Sequence, residues 1–247
     1  MSYEFLFLAA VTAVAGFVRG SLAFGGTLLM VPLFVLVMDP AEAILIGLIL
    51  DVIVGLPLLP PLVSAINWKN VTPVMAGYLV IAPFGAFVLY YTDPDIIRIA
   101  IALVVVASGI LLLTGWGFKG KPTIPGSVAV GGASGFFGTA AGIGGPILVL
   151  YLVAGKATAR ETRANMFFMS SVMEAFSALT VLVGAAFVIS NWLALFALLP
   201  VMMVFAYIGS KAVIGISDAV FRRLVIWFVV AFGVVLIVRS LADIAAA

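Results

Sequence analysis

The sequence contains no cysteine and no histidine, and only 9% of its 247 residues are charged. Without these two residue types, disulfides, thiol chemistry and imidazole metal ligands are excluded. A soluble domain is typically about a quarter charged, so this chain has too few charges to form a hydrated surface. We therefore expect neither a soluble enzyme nor a metal site.

Basic residues are few and scattered, and the formal net charge is only +2. A nucleic-acid-binding surface needs them gathered in a patch, so we predict no nucleic-acid partner. The sequence also lacks the phosphate-binding loop of nucleotide hydrolases, which argues against ATP hydrolysis by this chain. We predict no cofactor.

Hydrophobic residues make up 65% of the chain and occur in long runs. The ten apolar segments lie at about 3–20, 22–38, 41–61, 71–92, 95–115, 126–141, 143–155, 163–187, 191–209 and 220–241. Most have the length needed to cross about 30 Å of hydrocarbon. Because they are continuously apolar and do not alternate with period two, they predict helices and not a barrel. The predicted fold is an all-α, polytopic membrane protein surrounded by lipid.

Two segments, 22–38 and 143–155, are short, and each follows a glycine-rich break. Such lengths predict half-helices or re-entrant pairs. The breaks repeat: Gly25-Gly26 matches Gly144-Gly145 at an offset of 119 residues. Four further matches share an offset of 124 residues, namely Asn67-Trp68 with Asn191-Trp192, Gly85 with Gly209, Arg98 with Arg222, and Gly109 with Gly233. We interpret the chain as two repeats, residues 1–120 and 121–247, each with one glycine-broken pair and three full spans.

Charge placement favours opposite orientation of the two repeats. If each glycine-broken pair enters and leaves on one side, nine basic residues share one face, and only Arg98 and Arg239 lie on the other. If each pair crosses once, the split is seven to four, which the positive-inside rule disfavours. The better topology places both termini in the periplasm of a bacterial inner membrane. Inverted repeats are a common transporter architecture with a substrate site near the midplane.

The glycine breaks are candidate anion sites. Gly25, Gly26 and Thr27 in one repeat, and Gly144, Gly145 and Pro146 in the other, stand at predicted helix starts. The first turn of a helix presents unpaired N–H groups and a partial positive charge, and glycine allows close approach to the backbone. Pro146 suits the first turn, where a missing N–H costs nothing. The alternative is that these glycines only permit close helix packing.

This pattern resembles the sulfite exporter TauE/SafE family. The resemblance rests on Gly-Phe-x-x-Gly followed by Gly-Gly-x-hydrophobic-hydrophobic, which begins at Gly16 and again, apart from a differing fifth residue, near Gly135. It implies a helical membrane transporter that exports sulfite, sulfonates or related sulfur oxyanions, with proton-driven export as a family-level expectation. The chain departs from the family's run of three glycines at Thr27 and Pro146, and it has Arg19 where a small or polar residue is expected.

Arg19 lies inside an apolar run just before the first break. An intramembrane charge costs several kcal/mol unless it is paired, so such residues are usually functional. The planar guanidinium suits a pair of sulfonate or carboxylate oxygens, and we predict that Arg19 binds the substrate. A structural ion pair with Asp51 or Glu174 is the equal alternative.

Asp51 and Glu174 each fall near the middle of a predicted span, 123 residues apart. Loss of hydration in the membrane favours a protonated carboxyl group, so both are candidate proton-coupling residues. The alternative is charge balance for Arg19. Ser170, Ser171 and Ser177 make a polar stripe beside Glu174, which ranks it above Asp51.

The leading hypothesis is a proton-coupled secondary transporter of a small anion that works by alternating access. An anion channel, a carrier of another small carboxylate or inorganic ion, and a cation carrier using Asp51 and Glu174 remain as alternatives. An intramembrane enzyme is disfavoured because no nucleophile and base are paired in the sequence. Assembly as a homodimer is left open.

Overall fold

The structure, a computed structural model, describes residues 3–22, 24–113, 123–153, 158–184 and 192–212. In these ranges the regular structure is entirely helical, as the apolar segments predict. The helices are α1 (Tyr3–Leu22), α2 (Gly26–Phe34), α3 (Pro40–Leu58), α4 (Trp68–Tyr91), α5 (Pro94–Leu113), α6 (Ile124–Ala140), α7 (Gly145–Val153), α8 (Ala159–Gly184) and α9 (Trp192–Ala212), with a short 3-10 helix at Pro60–Ala65 between α3 and α4.

Five of these helices are long and apolar enough to cross a membrane. They are α3, α4 and α9 over their whole lengths, and α1 and α8 over nearly all of theirs. By contrast, α2 and α7 have nine residues each. At 1.5 Å per residue, nine residues cover less than half of the hydrocarbon layer. The two short apolar segments are therefore half-helices, and the protein is a polytopic helical membrane protein.

Local sequence sets where the helices begin. Asp39 caps α3 by accepting a hydrogen bond from the N–H of Ala41, and Pro40 fills the first helical position. Thr123 caps α6 in the same way, accepting from the N–H of Gly126. Both caps are polar residues that lie between two apolar runs, which is why the sequence places these boundaries well.

Helices α6 and α7 form an antiparallel hairpin. Ser134, in the middle of α6, donates to the carbonyl of Gly144 at a distance of 3.1 Å, just before α7 begins. Ser127, near the start of α6, hydrogen-bonds with Tyr151, near the end of α7. The two pairs run in opposite order along the chain, so the second glycine-broken pair enters and leaves at the same end of the molecule.

Each hairpin packs against the fourth helix of the other half, α1 on α9 and α6 on α4. The closest approaches repeat in the two halves. A Cβ at Gly16 would lie 2.7 Å from the carbonyl oxygen of Met202, and a Cβ at Gly135 would lie 2.7 Å from that of Tyr78. Gly135 follows Gly16 by 119 residues, and Met202 follows Tyr78 by 124, which are the two offsets of the sequence repeat.

Helices α3 and α8, which hold equivalent places in the two halves, run antiparallel. Arg19 contacts both Asp51 of α3 and Glu174 of α8. Asn67, which lies between the 3-10 helix and α4, bonds to Glu161 and Asn165 at the start of α8. Equivalent spans of opposite direction are the geometry of two inverted repeats.

Charges separate between the two ends of the molecule. Asn67 joins the start of α4 to the start of α8, and Gly20 lies against Arg163 of α8 and Ser210 of α9. The basic residues Lys69, Arg160, Arg163 and Lys211 therefore share one end. At the other end, Arg98 of α5 bonds to the carbonyl of Val35, close to the acidic residues Asp39, Glu42, Asp93 and Asp95.

Several sequence predictions fall outside the described residues. They include the segment at 220–241, the boundary between residues 120 and 121, and the repeat partners Asn191, Arg222 and Gly233. The division into domains 1–120 and 121–247 stays a prediction.

Candidate functional site

The N-termini of α2 and α7 meet at one cavity. Thr27, in the first turn of α2, lines it opposite Gly144 and Gly145 at the start of α7. The remaining lining residues are Leu48, Tyr78, Gly138, Gly142, Leu148, Ser170, Met173 and Glu174. Water can occupy about 20 Å³ of this cavity, which is room for one or two molecules. In this conformation the cavity is smaller than an oxyanion.

The start of α2 is occupied by a carboxylate of the protein. Gly25 takes a left-handed conformation, with φ of 95°, which favours glycine and turns the chain into α2. Asp51 of α3 then accepts a hydrogen bond from the N–H of Thr27 at 3.1 Å. A Cβ at Gly26 would overlap that carboxylate. Gly26 is therefore needed for the close approach of Asp51.

The start of α7 is open by comparison. Gly142, with φ of 69°, makes the turn, and a Cβ at Gly145 would meet no atom within 4 Å. Pro146 stands where Thr27 stands in the first half, and it has no N–H to donate. Among the described residues no side chain accepts a hydrogen bond from the first turn of α7.

Arg19 connects the two carboxylates. Its guanidinium is fully buried and donates to Ser170 at 2.8 Å and to Glu174 at 3.1 Å, while its Nε lies 3.7 Å from Asp51. Gly55 of α3 makes room for it, since a Cβ there would lie 2.8 Å from Arg19 Nη2. The ion-pair alternative for Arg19 is what this conformation shows, with both carboxylates as partners.

A second arginine lies near this cluster. Arg163 donates to the carbonyl of Gly20, in the last turn of α1, at 3.2 Å. The ring of Phe167 lies between the two guanidinium groups, with its centre 5.7 Å from Arg19 Cζ and 5.6 Å from Arg163 Cζ. Both contacts have the geometry of cation–π interactions.

Three buried hydroxyl groups form a cluster that begins one turn after Glu174 on α8. Ser177, one turn after Glu174, lies 2.7 Å from the hydroxyl of Tyr78 and 2.6 Å from that of Thr139. The sequence indicated Ser177 through its spacing from Glu174 but gave no indication of Tyr78 or Thr139. These residues come from α4 and α6, and no local pattern distinguishes Tyr78 from the lipid-exposed aromatics of α4.

The predicted site residues lie together but differ in position. Of the nine, Thr27, Gly144, Gly145 and Glu174 line the cavity. The others, which stand behind the lining, are Arg19, Gly25, Gly26, Asp51 and Pro146. Substrate binding and proton coupling by these residues stay predictions. Asn165, near the start of α8, accepts a hydrogen bond from the backbone N–H of Asn67 and lies outside the cavity lining.

The chain matches the family model described as Sulfite exporter TauE/SafE over residues 8–236. No curated protein matches it. No solved structure matches it either. The family match spans both hairpins, and it agrees with a helical membrane protein whose two half-helices point their N-termini at one cavity. The chain belongs to the sulfite exporter TauE/SafE family, whose members are membrane transporters of sulfite or related anions.

Proposed function

We propose that this protein is a secondary transporter that exports a small sulfur oxyanion or organosulfonate, such as sulfite or sulfoacetate, by alternating access. The observation that carries the proposal is the open start of α7 at the cavity, where N–H groups and a helix dipole favour an anion. The first half supplies a precedent in the same molecule, because the equivalent start of α2 binds the carboxylate of Asp51.

A carrier fits this small cavity better than a channel. The 20 Å³ open to water is too small for an oxyanion, and Arg163 joins α1 to α8 at the basic end. The helices must therefore move before a substrate binds or leaves. Opening toward one end and then the other is how inverted repeats transport a solute past a central site.

Proton coupling follows from the charges around the cavity. One guanidinium faces two carboxylates, so the cluster carries an excess negative charge when both are ionised. An anion in the cavity would be repelled by Glu174, which lines it, unless that carboxyl group is protonated. Binding of a proton and binding of an anion therefore depend on each other.

The charge separation supports an orientation in a bacterial inner membrane. The end that carries Lys69, Arg160, Arg163 and Lys211 would face the cytoplasm. The N-terminus, which begins the first hairpin at the acidic end, would then be periplasmic. The hairpin of α6 and α7 would open toward the cytoplasm.

Transport by proteoliposomes tests the function. Liposomes preloaded with sulfite should accumulate labelled sulfite by saturable counterflow, and a pH-sensitive dye should record a coupled proton movement. Glu174→Gln should keep the exchange of sulfite but lose the proton movement. Non-saturating flux without counterflow would establish a channel instead. Loss of all binding in Asp51→Asn with Glu174→Gln would indicate a cation carrier.

Gly145→Val tests the location of the site. Because a Cβ at Gly145 meets no neighbour, the variant should fold normally. Its larger side chain should occupy the space at the start of α7. We expect sulfite binding to weaken at least tenfold, with a smaller loss in Gly145→Ala. Ala129→Val adds a similar volume on the exposed face of α6 and is the matched control. Unchanged binding in Gly145→Val would contradict this site.

A further inference from the structure

The hydroxyl groups of Thr139, Ser177 and Tyr78 form a chain that ends at the cavity. Ser177 lies between the other two, at 2.6 Å from Thr139 and 2.7 Å from Tyr78. Thr139 and Ser177 are fully buried and Tyr78 is 2% exposed, so bulk water does not complete their hydrogen bonding. Of the three, only Tyr78 lines the cavity.

Counting protons gives the chain a direction. Three hydroxyl groups carry three protons, and two hydrogen bonds use two of them. Thr139 has no other hydrogen-bond partner among the described residues, so it satisfies its O–H only by donating to Ser177. If Tyr78 donated instead, the O–H of buried Ser177 would have no acceptor among the described residues, so Ser177 donates to Tyr78 and the tyrosine oxygen accepts. The proton of Tyr78 is left for a partner outside the chain.

That proton lies beside the start of α7. A Cβ at Gly138 would be 2.8 Å from the hydroxyl oxygen of Tyr78, and Gly138 lines the same cavity as Gly144 and Gly145. Resting on the proposed function, we infer that Tyr78 is a substrate-binding residue whose hydroxyl donates a hydrogen bond to an oxygen of the bound anion. An oxyanion, the substrate class proposed above, fits this arrangement because it offers acceptor oxygens on more than one side.

The chain of hydroxyl groups joins the two halves of the molecule, with Tyr78 in the first half and Thr139 and Ser177 in the second. The repeat offsets place Met202 opposite Tyr78 and Gly20 opposite Thr139, and the separation of Asp51 from Glu174 places Val54 opposite Ser177; none of these has a hydroxyl group. The hydroxyl chain ends at the cavity beside the start of α7, where Pro146 removes a backbone donor. Tyr78 supplies a donor at the N-terminal tip of α7, which lacks one, whereas the N-terminal tip of α2 is already filled by Asp51.

Tyr78→Phe removes this donor and keeps the ring. A hydrogen bond to a charged group is worth enough that its loss should raise the Kd for sulfite about 10- to 100-fold. Purified protein in detergent is titrated with sulfite by calorimetry, and thermal unfolding establishes that each variant is folded. The matched control is Tyr90→Phe, on the same helix α4 but outside this cavity. It removes a hydroxyl that donates to the carbonyl of Val181 in α8. The control should bind sulfite as the wild type does.

Ser177→Ala separates binding from a structural role. It breaks the chain but leaves the Tyr78 hydroxyl, so the Kd should rise only about threefold. A Kd within twofold of wild type in Tyr78→Phe would overturn the inference, as would an equal loss in Ser177→Ala and Tyr78→Phe. If the wild type binds neither sulfite nor sulfoacetate, the proposed function itself fails, and that result is seen before any substitution.

Discussion

The two half-helices begin with the same glycine doublet, yet their first turns are used differently. In α2 the N–H of Thr27 is bound by Asp51, and Gly26 backs onto the same carboxylate. In α7 the corresponding residue is Pro146, and a Cβ at Gly145 would point into open space. One tip is filled by the protein, and the other is available to a ligand.

The difference extends to the carboxylates. Glu174 holds nearly the place of Asp51 in the second half, but the N–H that it would bind there does not exist. Its carboxylate instead reaches Arg19 of the first half, at 3.1 Å. The carboxylate that caps a helix in the first half is thus matched in the second half by one that forms an ion pair between the halves. This teaches that the asymmetry of the cavity arises from the backbone as much as from the side chains.

Arg19→Ala should have the largest effect because it breaks the link between the halves. It leaves Asp51 and Glu174 buried without their cation, and removing one partner of a buried ion pair costs about 3–5 kcal/mol. Thermal unfolding in detergent should show a large decrease in stability. Neutralising both acids as well, with Asp51→Asn and Glu174→Gln, should recover part of the loss.

Arg98→Ala is the control for that comparison. Arg98 also pairs with a carboxylate, Asp95, but both side chains are partly exposed. An exposed pair contributes about 0–1 kcal/mol, so the loss of stability should be small. Equal losses in the two arginine variants would show that the cluster between the halves is no stronger than a surface pair.

Much of the fold could be predicted from the sequence because lipid leaves few alternatives. Continuous apolar runs predicted the helices, and two short runs after glycine doublets predicted half-helices. The repeat offsets reappear in the contacts of Gly16 with Met202 and of Gly135 with Tyr78. The packing of each hairpin on the other half's fourth helix was not predictable, because apolar faces in a membrane helix carry no directional pattern.

The site was predicted in part for the same reason. Rare charges in apolar spans identified Arg19, Asp51 and Glu174, and glycine identified the tips. The sequence did not reveal which carboxylate caps α2 or that both acids share one arginine, since these depend on where α1 places the Arg19 side chain against the contacting helices α3 and α8. Tyr78 was not predicted because α4 contains several aromatic residues and no sequence pattern distinguishes this tyrosine from the others.

Gly26→Ala against Gly145→Ala tests the two tips directly. The new methyl group at Gly26 overlaps the carboxylate of Asp51, which must move away from the Thr27 N–H. Overpacking of this kind costs about 1–3 kcal/mol. Alanine at Gly145 meets no neighbour, so its effect should stay within about 0.5 kcal/mol. Thermal unfolding of both variants measures the contrast, and a larger loss at Gly145 would reverse the assignment of the filled tip.

Pro146→Ala should have the smallest effect and sharpen the comparison most. It restores to α7 the N–H that Thr27 has in α2, so the open tip gains one donor. A hydrogen bond of this kind contributes about 0.5–1.5 kcal/mol, and we expect the Kd for sulfite to fall about threefold. Titration calorimetry measures it, with Pro200→Ala, a proline inside α9 and outside the cavity lining, as the control. If Pro146→Ala leaves the Kd unchanged or raises it, the missing N–H is not what distinguishes the two tips.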